Sequence, residues 1–261
     1  MVKISVVIIT LNEEKNLSRC LTSVAGIADE VVVVDSSSTD NTVAIAQKYG
    51  ARVVNQAFLG YGAQKNFANE QATNDWILSL DADEALSPEL QQSILSVKAK
   101  PEYDAYSLSR LTNYCGKWIK HCGWYPDKKL RLFNKTKGKW QGEKIHEYWE
   151  PTETEKRIGE LHGDLLHYSY YTISDHIRQI EKFTEISART AVEQGKDCSI
   201  WKIVSVPKWN FFLDYIIRLG ILDGFAGYVI CKLSAHAAFI KYTKIRQYAL
   251  LSRQGRLPNQ R

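Results

Sequence analysis

The sequence predicts an α/β protein with a Rossmann-like, mostly parallel sheet flanked by helices and a helical C-terminal extension. Three observations predict it. Residues 4–9, β-branched at every position but Ser5, and 31–34, all Val, are near-continuous apolar runs, the pattern of strands buried on both faces. Helical segments alternate with the strands, the order that gives a parallel sheet with right-handed crossovers. Polar clusters stand at the carboxyl end of each strand, where open α/β sheets bind ligands. The expected division is residues 1–200 for the α/β domain and 201–261 for the extension.

Taken in order, the first strand (4–9) ends on Thr10-Leu11-Asn12. Asn12 is expected to cap a helix, with Glu13 and Glu14 in its first turn. Leu17, Cys20, Leu21 and Val24 recur at helical spacing and form its apolar face. A second strand (31–34) ends on Asp35 and the turn Ser36-Ser37-Ser38-Thr39-Asp40, and a helix follows to about Tyr49, stopped by Gly50. A short strand at 52–54, a loop and helix at 60–72 and a fourth strand at 76–80 lead to Asp81-Ala82-Asp83-Glu84. Ser87-Pro88-Glu89 is a strong helix start, with Ser as cap and Pro in the first position. Shorter aromatic strands are expected from 105 to 149, a long helix from 172 to 193, and aromatic, basic helices from Trp201 onward.

The bulk numbers suit this reading. A hydrophobic share of 44% with 24% charged residues in 261 residues is that of a globular protein. The formal charge of +5 is concentrated toward the C-terminus, which fits an anionic partner or a solvated basic face. Five scattered cysteines contain no Cys-x-x-Cys pair, so neither a zinc ribbon nor a thioredoxin site is expected, and a reducing cytoplasm is the natural setting. No signal peptide is expected, and residues 211–230 are interrupted by Asp214, Arg218 and Asp223, too polar for a bilayer span.

Four groups carry candidate chemistry. Thr10-Leu11-Asn12-Glu13 offers backbone amides and a carboxylate at a strand tip, or simply a helix cap. Asp35 can accept hydrogen bonds from a ribose or a uracil imide. A dinucleotide site would need a Gly-x-Gly-x-x-Gly after the first strand, and Leu11-Asn12-Glu13-Glu14 has no glycine. Asp81 and Asp83, two apart on extended chain, are expected to face one Mg²⁺ or Mn²⁺, hard cations that bridge to substrate phosphates. Downstream, Trp140-Gln141-Gly142-Glu143-Lys144-Ile145-His146-Glu147 supplies acids that could act as a general base. Lys65 could reach a diphosphate or stand solvated. Trp118, Trp124, Tyr125 and Trp140 could stack on sugars or fill the core.

Together, Val6-Val7-Ile8-Ile9-Thr10-Leu11-Asn12-Glu13, Val33-Val34-Asp35-Ser36-Ser37-Ser38-Thr39-Asp40 and Leu80-Asp81-Ala82-Asp83-Glu84 resemble glycosyltransferase family 2. Gly123-Trp124-Tyr125-Pro126-Asp127, Leu130-Arg131-Leu132-Phe133 and Ile145-His146-Glu147 are similar to a narrower branch that includes lipopolysaccharide inner-core β-1,4-glucosyltransferases. The resemblance implies a GT-A fold, a UDP-sugar donor, a divalent metal, inversion at the anomeric carbon and a glycolipid or lipopolysaccharide-core acceptor. It puts Thr10, Leu11 and Glu13 on the nucleoside, Asp35 on the uracil or ribose and Lys65 near the diphosphate. Asp83 falls on the metal and Asp81 on the ribose or metal shell. Leu11 stands where many members carry an aromatic residue. The usual Glu-Asp base motif is absent, and His146-Glu147 takes its place in the order. Glu147 is therefore the expected base, with Asp127 as the alternative. No nucleic-acid partner is expected. The expected setting is the cytoplasm, with peripheral contact at the inner face of the membrane. Two other readings are transfer to a polyprenyl phosphate and a non-catalytic nucleotide-sugar or glycan-binding module.

Overall fold

β1 (Ile4–Thr10) is buried almost throughout and distributes its side chains to two cores. Ile4, Val6 and Ile8 enter one cluster and Val7 the other, as the two-residue period of a strand requires. The computed structural model describes residues 1–141, 148–152 and 157–256. Two compact units divide the chain: Met1–Leu111 with Pro126–Tyr168, and Thr112–Tyr125 with Ser169–Arg261.

In the first unit, β2 (Glu30–Asp35), β3 (Arg52–Asn55) and β4 (Trp76–Asp81) join β1 in parallel, in the order β3-β2-β1-β4. The helices between them are α1 (Leu17–Val24), α2 (Thr42–Lys48) and α3 (Tyr61–Gln71). Because β2 and β4 flank β1 on opposite sides, the chain reverses direction across the sheet at β1. The carboxyl ends of these strands are the crevice an open α/β sheet offers a ligand. Beyond β4 the sheet continues with β8 (Asp127–Asn134), β6 (Ala105–Tyr114), β11 (Ile158–Tyr170) and β5 (Glu84–Leu86). The β4–β8, β6–β8 and β11–β5 pairings are antiparallel. β9 (Gly138–Gln141) and β10 (Tyr148–Pro151) form a separate antiparallel pair.

Leu17, Cys20, Leu21 and Val24 of α1 pack on one face of the sheet with Leu90, Ile94 and Val97 of α4 (Pro88–Ala99). The other face takes Ala68 of α3 together with Phe133, Trp140 and Trp149. The α4 start is as expected: the Ser87 hydroxyl accepts from Leu90 N–H at 3.2 Å, with Pro88 in the first turn.

One expected element differs. Asn12 does not cap α1, which begins at Leu17. It sits instead in the left-handed region, φ 55°, a conformation Asn tolerates better than most residues. There its backbone and side chain serve the neighbouring turn, as described below.

In the second unit, β7 (Lys117–Ile119) pairs with residues 112–114 of β6. α5 (Ile173–Glu193), α6 (Ile200–Phe212) and α7 (Gly224–Arg253) follow. Thr172 and Asp175 form a reciprocal capping box at the start of α5. The helical unit includes α5 as well as the region from Trp201 on, because α5 is tied to α7. Ala188 and Ala191 cluster with Ile245, and Lys244 lies 2.8 Å from Glu181 and 3.1 Å from Glu185. Among the described residues no helix is long and apolar enough to cross a membrane.

Candidate active site

The tips of β1 and β2 are laced together. Thr10 Oγ1 donates to Asp35 Oδ1 at 3.0 Å. The Asp35 carboxylate also accepts from Ser38 N–H (2.8 Å) and Ser38 Oγ (2.5 Å). Asn12 N–H donates to Ser38 Oγ, and Asn12 Oδ1 accepts from Thr39 N–H, both at 2.8 Å. Glu13 N–H donates to Thr42 Oγ1 at 2.8 Å. Asp35 is only 1% exposed and holds the Ser36-to-Asp40 turn against the first strand tip. Leu11, by contrast, is 52% exposed at that tip. The Glu13 carboxyl is pushed up to about 7 by burial, against the hydrogen bond from Asn16, with the nearby negative charges of Asp83, Asp40 and Asp81 adding to the rise.

At the tip of β4 the two expected metal carboxylates take different partners, because the chain turns at residues 82–83. Asp81 Oδ1 lies 3.3 Å from Lys65 Nζ. Its Oδ2 accepts from Arg131 Nη2 at 2.7 Å. Asp83 Oδ2 is 3.2 Å from His167 Nε2. Lys65 is 1% exposed, since α3 carries it inward toward β4 and over the Trp140 ring at 4.9 Å. Burial pushes the Asp81 carboxyl up, but Arg131, Lys65 and His167 outweigh it and hold it well below the ordinary carboxylate range. Burial likewise opposes the Arg131 charge, and Asp81 and Glu84 overcome it, so its pKa is raised.

The charges continue as a chain across the sheet. Arg131 Nη2 also donates to Glu84 Oε1 at 2.8 Å, and Glu84 Oε2 accepts from Asp81 N–H at 3.0 Å. Arg110 Nη1 is 3.7 Å from Glu84. Its Nη2 donates to Asp127 Oδ2 at 2.7 Å. Lys129 Nζ reaches Asp127 Oδ1 at 3.0 Å. Burial raises the Asp127 carboxyl, yet Arg110 and Lys129 prevail and its pKa is lowered. A carboxylate so held is a weak base.

Asn66 of α3 clamps the main chain of β9: Nδ2 donates to Trp140 O and Oδ1 accepts from Trp140 N–H, each at 2.9 Å. β9 ends at Gln141. His146 and Glu147 lie outside the described residues. Trp140 is buried among Val7, Phe133 and Trp149, and Trp124 packs on Tyr114 and Tyr170. Both therefore belong to packed cores of their units.

The first unit brings Thr10, Glu13, Asp35, Asp81 and Asp83 to neighbouring strand tips, with Lys65 reaching Asp81 from α3. Sequence reasoning missed Glu84, Arg110, Arg131 and His167. A signal existed for two of them: Arg131 and His167 are ionisable residues inside otherwise apolar strand runs, Leu130-Arg131-Leu132 and Leu165-Leu166-His167. Such a residue must find a partner when buried.

For a divalent cation, the described residues contain no group of three or more His, Cys, Asp or Glu side chains. They offer one oxygen and one nitrogen donor in Asp83 and His167. That set suits a Mg²⁺ or Mn²⁺ that completes its shell with phosphate oxygens and water.

The model for glycosyl transferase family 2 matches residues 5–153. An uncharacterized glycosyltransferase of Rickettsia typhi is 36% identical over 97% of this chain and 90% of its own length. The lipopolysaccharide core biosynthesis glycosyltransferase LpsC of Rhizobium meliloti is 32% identical over 96% and 94%. The crystal structure of S. aureus TarS 1-349 with UDP-GlcNAc aligns over 97% of this chain and 92% of that one, at 18% identity and a TM-score of 0.45.

Proposed function

This chain belongs to glycosyltransferase family 2, and on that premise we propose that it is an inverting, metal-dependent hexosyltransferase acting from a UDP-sugar on a glycolipid acceptor of the lipopolysaccharide-core kind. That it is a glycosyltransferase of GT-A fold follows from the family and from its mixed sheet, parallel from β3 to β4, with polar strand tips. The observation that carries the finer reading is the pair of sites at the β4 tip: Asp81 between Lys65 and Arg131, and Asp83 beside His167.

In this reading the nucleoside lies along the tips of β1 and β2. Leu11 offers its exposed side chain to the base. Thr10 and Glu13 line the same edge, and Asp35 shapes it by holding the turn at Ser38. Asp81 orients Lys65 and Arg131 so that positive charge stands near the diphosphate. Asp83 and His167 would hold the cation. When bound, a divalent cation offsets diphosphate charge as the leaving group departs. The acceptor hydroxyl attacks the anomeric carbon from the face opposite the diphosphate. Its proton passes to a carboxylate as the new C–O bond forms, and the old C–O bond breaks with its electrons going to UDP, which inverts the centre. Glu147 is the base in this scheme, since Asp127 is drawn into ion pairs with Arg110 and Lys129. The acceptor class is taken from the relative LpsC, named for lipopolysaccharide core biosynthesis. A lipid-anchored acceptor suits a cytoplasmic enzyme that works at the inner face of the membrane.

A donor screen tests the reading. UDP-hexoses are incubated with Mg²⁺ or Mn²⁺, and sugar release is followed for the native protein and for Asp83→Ala. Metal-dependent release by the native protein alone is expected. Binding of a nucleotide sugar without turnover toward water or any saccharide acceptor would favour a non-catalytic binding module.

A further inference from the structure

The helical unit carries an apolar surface that nothing in the described residues covers. α6 and α7 run antiparallel: Phe211 meets Tyr228 and Lys202 lies over Tyr242. One face of α6 is spent on this packing. The other leaves Trp201 82%, Trp209 59% and Phe212 45% exposed. The linker between the helices continues the surface with exposed Ile217 and Leu222, and α7 opens on Phe225, 77% exposed.

This tip is tightly built. Gly227 packs so close to the carbonyl of Gly220 that a Cβ at Gly227 would lie 1.9 Å from that oxygen. Leu219 holds a left-handed φ of 55°. Asp223 is buried, its carboxylate accepting from the His121 backbone N–H at 2.8 Å and from the Lys120 N–H at 3.4 Å. The apolar side chains therefore stand on an ordered apex, although exposing them to water is unfavourable.

The charges choose the occupant. Both acids of the tip are tied internally, Asp223 as above and Asp214 to Arg218 at 2.8 Å. Lys208 adjoins Trp209 in α6, the Lys120 backbone is bonded to Asp223 of the tip, and Lys232 Nζ lies 5.8 Å from the Phe211 ring centre, all three lysines being exposed. A second copy docked on the same face would set these cations opposite their own images. An anionic lipid surface would instead receive the rings in the acyl boundary and the lysines on its headgroups.

We infer that the α6–α7 tip, led by Trp209, Leu222 and Phe225, inserts into the interface of an anionic membrane. Its purpose rests on the proposed lipid-anchored acceptor, but its geometry rests on the helical unit alone. The protein lies on the bilayer, since none of its described helices can span one.

Co-sedimentation with phosphatidylcholine vesicles, with and without phosphatidylglycerol, tests it on the full chain. Binding is expected on the anionic vesicles at low salt and weakened at high salt. Leu222→Ser and Phe225→Ser should each lower the partition coefficient about tenfold. Lys208→Glu paired with Lys120→Glu should weaken binding only where phosphatidylglycerol is present. Circular dichroism confirms folding, and UDP-sugar hydrolysis in the same preparations is expected to stay at the native rate. Failure of the native protein to sediment with anionic vesicles at low salt overturns the inference, as does sedimentation insensitive to the tip substitutions. A dimer that the same substitutions dissociate overturns it in favour of a second copy. Loss of hydrolysis in the native protein would instead count against the proposed reaction, leaving the vesicle result to stand alone.

Discussion

Arg131 Nη2 lies 2.7 Å from Asp81 Oδ2, so the first carboxylate of the Asp-x-Asp pair faces a buried guanidinium. The same nitrogen is 2.8 Å from Glu84. Removing Arg131 would leave the buried Glu84 carboxylate with the longer 3.7 Å contact to Arg110 and the Asp81 N–H, and Asp81 with Lys65. Arg131→Met is expected to destabilise the protein by about 3 kcal/mol, the scale of a buried pair broken on one side. Urea unfolding measures this. Adding Glu84→Gln to Arg131→Met should recover part of the loss, because it removes a buried charge that has lost its nearer cation.

The cation prediction separates Asp83 from Asp81. Asp83→Ala and His167→Ala should each weaken Mn²⁺ binding in the presence of UDP by roughly tenfold to a hundredfold, read by calorimetry. Chelation with EDTA should abolish transfer. Asp81→Asn should act mainly on UDP affinity, by releasing Lys65 and Arg131 from their present positions. Undiminished turnover in excess chelator would remove the metal from the scheme.

For the base, Glu147→Gln should lower kcat by about a hundredfold or more while UDP still binds. Asp127→Asn should keep most of the rate, because Arg110 and Lys129 hold that carboxylate below the usual range. If Asp127→Asn is the dead variant and Glu147→Gln turns over normally, the roles are exchanged.

The pH dependence has two parts of opposite sign. Asp81 titrates lower in the folded protein than in the unfolded chain. Its contribution to stability is therefore complete above the ordinary Asp value of 3.8 and is lost as pH falls below it. Glu13 titrates higher, at about 7 against an ordinary 4.5. The unfolded chain releases that proton first, so stability falls as pH rises between the two values. Denaturation midpoints followed across the range from about 4.5 to about 7 should show the native protein losing stability relative to Glu13→Gln as pH rises, the difference between the two isolating this carboxyl from other titrating groups such as buried His176.

Much of the first unit was legible along the chain. The strands at 4–9, 31–34 and 76–80 were visible because a doubly buried parallel strand is apolar at nearly every position, Ser5 and Ser79 being the exceptions, and the α4 start because Ser-Pro-Glu is a local cap. The polar clusters that make up the candidate site were legible too, since they stand at strand ends, the crevice of an open α/β sheet. Asn12 shows where local reasoning failed. Its cap chemistry was real, but it was spent across the gap to Ser38 and Thr39 on the next strand's turn.

What the sequence by itself determined is the order of elements and the residues at their tips, because periodicity, capping and turn chemistry act over a few neighbouring residues. Only the tertiary structure decided the electrostatic partners. Lys65 read as a solvated or diphosphate-seeking lysine until α3 packed on the sheet beside Asp81. Arg131 read as a strand residue until antiparallel pairing of β8 with β4 brought it to Asp81, 50 residues away in the chain. The physical reason is that a charge can be buried only where opposite charges converge on it. That convergence is a property of strand neighbours in space, and no spacing along the chain records it.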